Sequence, residues 1–350
     1  MSGGVDSSVA AALLVDQGYE VVGLMARLWT EPSSLQPGDS TNRCCAPEAV
    51  DDARRVAAAL GIPFFLLSLG AEFKSRIVDP FVCEYTHGRT PNPCVACNKI
   101  IRFGRLMQHA KALGASHLAT GHYAQVSQVE GRFHVCKGRD PGKDQSYVLY
   151  TLGQEELARV LFPLGHLTKS DVREIARQRR LPVAERAESM DLCFARDGDY
   201  RRFLAGQAPE SVRPGPILDT TGREIGRHQG MAFFTVGQRR GIGVAAAVPL
   251  YVIRLDPTRN AIIVGPADAL GRESLEVRDA HYPQGQVPEE PIRVMAKIRY
   301  RAAPAPATWT ATGDCTAQVR FDGPARGVSP GQSAVAYRGD SVFGGGVICE

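Results

Sequence analysis

Several features are scarce or missing in this 350-residue sequence, and each absence excludes a class of protein. No run of about 18 uninterrupted apolar residues occurs, so we expect no membrane-spanning helix. The first residues contain Asp6 and two glycines where a secretory signal would have a basic region. We therefore expect a cytoplasmic protein with no membrane partner.

Lysine is also scarce, and the net charge gives only weak evidence for an acidic partner such as a nucleic acid. Only 7 of the 41 basic residues are lysines, so a lysine inside a motif is more informative than usual. The net charge of +4 permits a nucleic-acid partner without requiring one, because nucleic-acid binders usually carry a concentrated basic patch. The 9 cysteines are an odd number, which argues against a complete disulfide framework and favours reduced thiols.

Helix and strand patterns alternate in the first half of the chain, which predicts an α/β fold with a parallel sheet and helices on both faces. In such sheets, ligands bind at the carboxyl ends of the strands. The helix patterns cover 8–19, 47–61, 100–114 and 170–181, and the strand patterns cover 20–29, 63–69 and 116–124.

The second half changes character from about residue 212, where glycine and proline become frequent and apolar runs shorten. Short strands at 251–256, 261–265 and 293–300, separated by turn signals, predict β structure with a small barrel at the C-terminus. The Pro/Ala-rich stretch 300–312 is predicted to connect two strands. The length alone favours two or three domains.

The stretch "SGGVDSS" (2–8) has the composition of a phosphate-binding loop. Glycines let the backbone approach a phosphate, and the start of a helix directs N–H groups and a positive dipole end at the anion. The Gly-Lys-Ser/Thr ending of a Walker A motif is missing. A capped glycine turn is the alternative interpretation, and the order of seven residues favours pyrophosphate binding. Because such a loop normally follows a strand, we expect the true start of the protein to lie upstream of Met1.

Cys94 and Cys97 in "TPNPCVACNKI" (90–100) are compatible with a zinc site, a redox pair, iron–sulfur ligands or a nucleophile with its helper. Zinc needs a second pair of ligands, and the adjacent Cys44 and Cys45 lack the usual gap. A redox pair would open a helix after a strand, whereas Pro-Asn-Pro favours a rigid loop. Four other cysteines are interpreted as small buried hydrophobic residues: Cys83, Cys136, Cys315 and Cys349.

A set of motifs spread over nearly the whole chain resembles one family. The motifs are "SGGVDSS" (2–8), "GRTPNPCVACNKIIRFGRL" (88–106), "LATGHYA" (118–124), "GRDPGKDQSYVLYTL" (138–152), "LFPLGHLTKSDVREIA" (161–176), "LCF" (192–194), "HQGMAFFTVGQRRGIG" (228–243) and "LYVIRLDPTRNAIIVG" (250–265). No single motif is specific, but the combination resembles the bacterial tRNA-specific 2-thiouridylase family, within the pyrophosphate-loop ATPases.

The resemblance implies three domains and a reaction. The expected domains are an adenine-nucleotide-binding catalytic domain (1–198), a small middle domain (199–272) and a C-terminal β-barrel that contacts tRNA (273–350). The implied activity is that of a tRNA-uridine 2-sulfurtransferase: ATP, with Mg²⁺, adenylates the 2-oxygen of the wobble uridine, and sulfur then replaces it. The implied partners are tRNA and a persulfide donor, either a cysteine desulfurase or a relay protein.

The resemblance also assigns roles to single residues. The pyrophosphate contacts are carried over to Ser2, Gly3, Gly4, Val5, Asp6 and Ser7, with Ser8 beside them. Ala26 takes the adenine contact, through its backbone, and Gly121 closes the nucleotide pocket. His122 by itself is more typical of a satisfied core histidine, but the resemblance places it against the tRNA. The other tRNA contacts are carried over to Asn92, Pro93, Cys94, Lys143, Asp144, Gln145, Arg299, Tyr300 and Gln332.

Two cysteines take the sulfur chemistry under this resemblance. Cys97 is the nucleophile, and Cys193 receives the persulfide. Thiolates are favoured by positive neighbours such as Lys99 and Arg102, or by a helix N-terminus. Before Cys193 the chain reads "ERAESMD" where the family commonly has Lys-Asp-Ser-Thr-Gly-Ile.

Cys94 is a second departure, because many family members carry an aspartate there. A thiol, with a reference pKa of ~8.5, does not replace a carboxylate at ~3.9 simply. One hypothesis makes Cys94 a spare thiol beside a Cys97/Cys193 persulfide–disulfide route. The other, which we favour on chemical grounds, makes Cys94, Cys97 and Cys193 ligands of a 4Fe-4S cluster that carries sulfide, as in related tRNA thiolases.

Two other function classes fit parts of the sequence. One is a pyrophosphate-loop enzyme that adenylates a small molecule, which would need no tRNA. The other is a non-catalytic tRNA-binding or scaffold protein, and the retained loop and cysteines argue against it.

Overall fold

The computed structural model describes residues 1–29, 47–187, 192–195 and 199–349, which fall into two compact units. The first unit draws on Met1–Val78, Cys94–Asp199 and Asp340–Val342. The second draws on Asp79–Pro93, Tyr200–Gly339 and Phe343–Glu350. In the part of the chain that the structure describes, no helix is long and apolar enough to cross a membrane.

The helical segments of the described residues include two π-helical stretches. In chain order they are α1 (Val5–Asp16), α2 (Pro47–Leu60), α3 (Gly70–Phe73), a π-helix (Lys74–Val78), α4 (Asp79–Thr86), α5 (Pro93–Cys97), a second π-helix (Asn98–Leu106), α6 (Met107–Ala112), α7 (Gln154–Leu157), α8 (Lys169–Gln178) and α9 (Tyr200–Gln207). Among the described residues, short 3₁₀ turns lie at Ser146–Leu149, Pro209–Ser211, Met231–Phe233 and Ala267–Leu270.

The strands are concentrated in the second half. They are β1 (Gly23–Arg27), β2 (Phe64–Ser68), β3 (Leu118–Ala119), β4 (Ala124–Val129), β5 (Arg132–Lys137), β6 (Val160–Leu161), β7 (Gly215–Leu218), β8 (Glu224–His228), β9 (Tyr251–Asp256), β10 (Ala261–Gly265), β11 (Gly271–His281), β12 (Ile292–Lys297), β13 (Ala305–Gly313), β14 (Thr316–Arg326), β15 (Ser333–Arg338) and β16 (Ser341–Ile348).

The first unit has the expected parallel strand pairs. Strand β1 pairs with β2 in parallel from Gly23↔Phe64 to Arg27↔Ser68, and β3 pairs with β6 in the same sense. Helix α2 buries Ala49, Val50, Ala53, Val56 and Ala57, which form one face at helical spacing. Parallel strands need crossover helices between them, so this arrangement confirms the α/β prediction.

Helix α1 lies in the core of the first unit. Val9 and Ala12 are fully buried, and the helix packs with residues of α8 and of the segment after it. A helix with buried residues nearly all round is fixed in position by its neighbours. The residues at its N-terminus are therefore held rigidly as well.

The second unit contains two β structures. Strands β8, β7, β10 and β9 form a four-stranded sheet in that order, with β7 and β10 parallel. The order β11-β14-β13-β12-β15-β16 closes through the β11–β16 pairing, which confirms the predicted C-terminal barrel. Trp309 is fully buried in its core and donates Nε1–H to Tyr282 Oη at 3.1 Å.

The prediction for 300–312 is wrong, because β13 occupies Ala305–Gly313. Ala307 and Trp309 point into the barrel core, whereas Pro306 before them is exposed and Thr308 between them is half-buried, which is the two-residue alternation of a strand. The prolines and alanines hide this alternation in a sequence reading, since both are depleted in strands.

Candidate active site

The loop 2–8 is shaped by a glycine that no other residue can replace. Gly3 has φ +71°, and a Cβ built on it would lie 2.3 Å from the carbonyl oxygen of Ala49 in α2. Gly4 then caps α1 with extended backbone and supplies no side chain to the first turn. The N–H groups of a first helical turn lack partners within the helix, so a loop of this shape suits an anion.

Serine hydroxyls brace the loop from inside. Ser7 Oγ accepts from Ser2 N at 3.0 Å and donates to Gly4 O at 3.2 Å, and Ser8 Oγ donates to the same carbonyl at 2.8 Å. Ser2 Oγ also lies 3.2 Å from Ser7 Oγ. Ser8 is completely buried, so it supports the loop without facing a ligand.

Gly121 and Ala26 both lie near the carboxyl ends of strands, the edge at which parallel sheets bind ligands. Ala26 is the fourth residue of β1, and Gly121 follows β3 by two residues. A Cβ on Gly121 would lie 2.8 Å from the carbonyl carbon of Asp6 and 2.9 Å from the nitrogen of Ser7. Gly121 therefore packs directly on the loop.

Three residues to which the sequence motifs assigned no role form hydrogen bonds to the loop. Lys169 Nζ and Tyr123 Oη both donate to Asp6 Oδ1, at 2.6 and 2.8 Å. Arg186 Nη1 donates to Gly3 O at 2.9 Å and pairs with Asp52. Lys169 and Tyr123 lie within the motifs quoted above, and this was the signal available in the sequence.

Cys94 and Cys97 lie on a helix, so the expected rigid loop is wrong. Helix α5 covers Pro93–Cys97 and runs on into the π-helix Asn98–Leu106. Pro93 opens the helix at its first position, where a missing N–H costs nothing. A spacing of three residues puts the two thiols on the same helical face.

The two thiols differ in environment. Cys97 is half-buried, whereas Cys94 is exposed at its surface although protein atoms crowd its thiol. Because the residue is exposed, a reagent can reach Cys94. Because protein atoms surround the sulfur atom, the charged thiolate form is disfavoured. Desolvation raises the pKa of the Cys94 thiol, and the nearby Arg102 guanidinium opposes this rise only in part. Cys94 is thus held as a thiol, not as a substitute carboxylate.

His122 is buried beside the same guanidinium. Its Nε2 lies 3.2 Å from Arg102 Nη1, and its Nδ1 lies 2.7 Å from Thr120 Oγ1. Burial, and secondly the charge of Arg102, lower the pKa of His122 well below its ordinary value. The imidazole is neutral and only 3% exposed, so it has the environment of the satisfied core histidine.

Cys193 is half-buried, and the next residue anchors it. Phe194 packs edge-on against Phe73, with ring centroids 6.0 Å apart, and both rings are buried. Residues 188–191, within the segment that departs from the family pattern, lie outside the described residues, as do Cys44 and Cys45. All cysteines in the described part of the chain carry free thiols, including Cys97 and Cys193.

The expectation that the other cysteines are buried is wrong. Cys83 and Cys315 are exposed, and Cys136 and Cys349 are half-buried. Cys83 lies on α4, whose buried face is formed by Phe81 and Tyr85. Cys315 lies in the turn between β13 and β14. The local position of each residue, which composition does not reveal, decides its exposure.

Three of the residues carried over as tRNA contacts, Lys143, Asp144 and Gln145, form one turn of the first unit. Asp144 Oδ1 accepts from the N–H groups of Gly138 and Ser146, at 3.1 and 3.0 Å. Gln145 exchanges two bonds with the backbone of Tyr123, at 3.0 and 2.9 Å. Lys143 is half-buried in the same turn. Asp144 and Gln145 hold the turn in shape, and Tyr123 joins it to Asp6.

In the second unit, Gln332 holds the segment that leads to Asn92. Its Nε2 donates to the carbonyl oxygens of Thr90 and Pro91, at 2.9 and 3.2 Å. Thr90 N also donates to Pro330 O at 2.8 Å. Asn92 is half-buried, and the next residue, Pro93, is buried. Gln332 therefore fixes the backbone just before the predicted contact segment.

Arg299 forms hydrogen bonds within the second unit, whereas its neighbour Tyr300 is exposed. Arg299 Nη2 donates to the carbonyl oxygen of Val236 at 2.7 Å and to that of Gly327, so its guanidinium joins two loops of the second unit. Tyr300 is 36% exposed, and Lys297 Nζ lies 5.7 Å from the centroid of its ring. An exposed ring beside a cation is suited to stacking on a base.

The described residues contain no group of three His, Cys, Asp or Glu side chains that could hold a metal ion. Cys94, Cys97 and Cys193 therefore do not form a ligand set in this conformation.

Three family profiles match consecutive parts of the chain. Residues 1–197 match the tRNA methyl transferase HUP domain, residues 201–266 the tRNA methyl transferase PRC-barrel domain, and residues 272–348 the aminomethyltransferase beta-barrel domain. The architecture is that of a tRNA-modifying enzyme built from a HUP domain and two barrel domains.

Full-length relatives narrow this class. The tRNA-specific 2-thiouridylase MnmA of Moorella thermoacetica is 50% identical over 99% of this chain and 98% of its own length. Those of Chloroflexus aurantiacus and Pelotomaculum thermopropionicum are 50% and 46% identical, over 100% and 99% of this chain and 97% and 95% of their own lengths. The chain belongs to the tRNA-specific 2-thiouridylase family.

Proposed function

We propose that the protein is a tRNA sulfurtransferase that converts the wobble uridine of tRNA anticodons to 2-thiouridine with ATP. Family membership at about half identity over the full chain supports the reaction. The observation that supports the chemistry is the loop at the N-terminus of α1, on which Gly121 packs, in the same unit as Cys97 and Cys193. An enzyme that activates an oxygen with ATP and replaces it with sulfur needs both.

The nucleotide is proposed to bind first. The loop Ser2–Ser7 and the first turn of α1 receive the ATP phosphates, accompanied by Mg²⁺, and the backbone of Ala26 contacts the adenine. Gly121 leaves room for the loop because it carries no Cβ. The 2-oxygen of the uridine attacks the α-phosphorus, and pyrophosphate leaves. The former carbonyl oxygen then departs as part of AMP in the next step.

Sulfur transfer follows through the two half-buried cysteines. A donor of the cysteine desulfurase or relay class loads Cys193 as a persulfide. The terminal sulfur attacks C2 of the uridine, AMP leaves, and the base is joined to Cys193 through a disulfide. The Cys97 thiolate attacks the Cys193 sulfur, which releases 2-thiouridine and leaves a Cys97–Cys193 disulfide. An external thiol reductant supplies the two electrons that regenerate both thiols.

The competing cluster route finds no support in the ligand geometry of the described residues, so we derive no step through a 4Fe-4S group. Iron and acid-labile sulfide assays after anaerobic purification test it directly. Iron-free protein that thiolates tRNA with a persulfide donor excludes the cluster. Stoichiometric iron and sulfide, lost in a Cys94→Ser variant, would instead establish it.

The function is tested by mass spectrometry of tRNA hydrolysates from a strain lacking the gene. We expect 2-thiouridine to return with the wild-type gene but not with Cys193→Ser. Cys315→Ser is the matched control, since Cys315 is an exposed thiol in a barrel turn. Full restoration by Cys193→Ser would exclude the proposed role of Cys193. ATP–pyrophosphate exchange without tRNA, together with no tRNA gel shift, would favour an enzyme acting on a small molecule.

A further inference from the structure

Three side chains from distant parts of the first unit meet at the nucleotide loop, and we call them the Asp6 cluster: Asp6, Tyr123 and Lys169. Asp6 Oδ1 accepts from Lys169 Nζ at 2.6 Å and from Tyr123 Oη at 2.8 Å. Lys169 Nζ also lies 5.8 Å from the centroid of the Tyr123 ring. Tyr123 is 3% exposed and the Lys169 side chain is 14% exposed. Both groups that donate to Asp6 are therefore largely shielded from water.

Asp6 is the second residue of α1, in the turn that would receive the ATP phosphates. A carboxylate there is stabilised by the helix dipole, as any anion would be. The same charge repels a second anion that arrives at the same helix end. Like charges repel more strongly as they approach and as water is excluded from between them. The Asp6 side chain is 37% exposed, so water screens part of this repulsion.

Lys169 is held in place to counter that charge. It is the first residue of α8, whose N-cap Thr168 forms a reciprocal capping box with Asp171. The backbone N–H of Lys169 donates to Asp140 Oδ2 at 2.9 Å. Its backbone is therefore fixed by bonds that do not involve Asp6, and its side chain is presented to the loop at little entropic cost.

We propose that Lys169 is a positioning residue for ATP: by cancelling the charge of Asp6, it allows the loop to accept the nucleotide's phosphates. Tyr123 orients the carboxylate through its hydroxyl. The inference rests on the proposed function only in taking ATP as the ligand, and it concerns binding, which can be measured without tRNA or sulfur transfer.

The test compares ATP affinity, by calorimetry with Mg²⁺ and without tRNA, across four forms of the full chain: wild type, Lys169→Met, Lys169→Arg and the double variant Asp6→Asn/Lys169→Met. We expect Lys169→Met to weaken ATP binding about tenfold, because it leaves Asp6 uncompensated. Lys169→Arg keeps the charge and should stay within about threefold. The double variant removes both charges and should also return to within about threefold.

Lys137→Met is the matched control. Lys137 Nζ lies 3.2 Å from Asp340 Oδ1 in an exposed ion pair of the same unit, and this pair does not include Asp6. Its loss should leave ATP affinity unchanged, since exposed ion pairs contribute little. An equal loss in Lys137→Met and Lys169→Met would overturn the proposal.

Two further results would contradict the charge-cancelling role. Unchanged affinity in Lys169→Met would show that Asp6 needs no compensation. A double variant as weak as Lys169→Met would show that the lysine acts on the nucleotide itself. Should Lys169→Met fail to fold, the double variant decides alone: affinity near wild type supports the inference, and a loss beyond tenfold overturns it. Wild-type protein that binds ATP but never thiolates tRNA would contradict the proposed function and leave this measurement intact.

Discussion

Arg102 Nη1 lies 3.2 Å from His122 Nε2, and this contact fixes the proton on the imidazole. A guanidinium only donates, so Nε2 must accept, and the ring proton is assigned to Nδ1, which donates to Thr120 Oγ1 at 2.7 Å. Arg102 also donates to Asn98 Oδ1 at 3.3 Å, and Asn98 Nδ2 donates to Val148 O at 3.1 Å. The π-helix that follows Cys97 is thereby joined to the segment after β3.

The buried His122 should make stability depend on pH. Its folded pKa lies below the unfolded value of about 6.5, so between the two the unfolded chain binds more protons and stability falls as pH falls. We expect the free energy of unfolding to decline below pH 6.5 with a slope of at most about 1.4 kcal/mol per pH unit from this group. Urea titrations from pH 7.5 to 5 measure the slope.

His122→Asn should reduce that slope. His228, whose pKa burial also lowers, contributes in the same direction and leaves a residual slope. His117→Asn, which removes an exposed imidazole bonded to Ser116, is the matched control for replacing a histidine with asparagine. An unchanged slope in His122→Asn would contradict the assignment of a neutral ring.

Gly121→Ala should weaken ATP binding. The added methyl group would meet backbone atoms of Asp6 and Ser7 at 2.8 and 2.9 Å, and backbone cannot rotate away as a side chain can. The methyl group would therefore push the backbone of the phosphate loop out of place. We expect ATP affinity, measured by calorimetry, to fall about tenfold or more. Gly323→Ala is the control, since nothing lies within 4 Å of its Cβ position. Equal affinity in both variants would show that Gly121 is not part of the nucleotide site.

Gln332→Ala should weaken tRNA binding, because Gln332 holds the segment that leads to the predicted contact residue Asn92. The variant removes the two bonds that hold Thr90 and Pro91, so the segment leading to Asn92 loses its fixed backbone. We expect tRNA affinity in a gel shift to fall about threefold to tenfold, with ATP affinity unchanged. Gln318→Ala, on an exposed strand position of the same unit, should bind tRNA as the wild type does. Unaltered tRNA binding in Gln332→Ala would remove this residue from the proposed contact region.

Tyr300→Ala should also weaken tRNA binding, by removing an exposed ring. Loss of one base–aromatic stack costs about 1–3 kcal/mol, which corresponds to roughly fivefold or more in affinity. Tyr300→Phe keeps the ring and should bind within about twofold of wild type. If phenylalanine lost as much affinity as alanine, the hydroxyl and not stacking would be responsible. Fluorescence titration with labelled tRNA at fixed salt separates these outcomes.

The sequence predicted correctly those strands and helix ends that depend on residues close together in the chain. The predicted strands 251–256 and 261–265 coincide with β9 and β10, and α2 ends at Leu60, one residue before the predicted stop at Gly61. Period and turn chemistry are properties of adjacent residues, so they can be read without the fold. The same reading failed where composition conflicted with burial, as in β13, and where a proline opened a helix, as in α5.

From the sequence alone we could identify the loop at the start of α1 and the two cysteines proposed for sulfur transfer. The sequence alone also predicted an α/β region followed by a β region. Tertiary structure alone decided which residues surround that loop. Lys169 and Tyr123 reach Asp6 across separations of 163 and 117 residues, and no local pattern encodes such a contact. It also decided that Cys94 is held as a thiol and that His122 is neutral, because desolvation and the charge of Arg102 depend on what packs around each group.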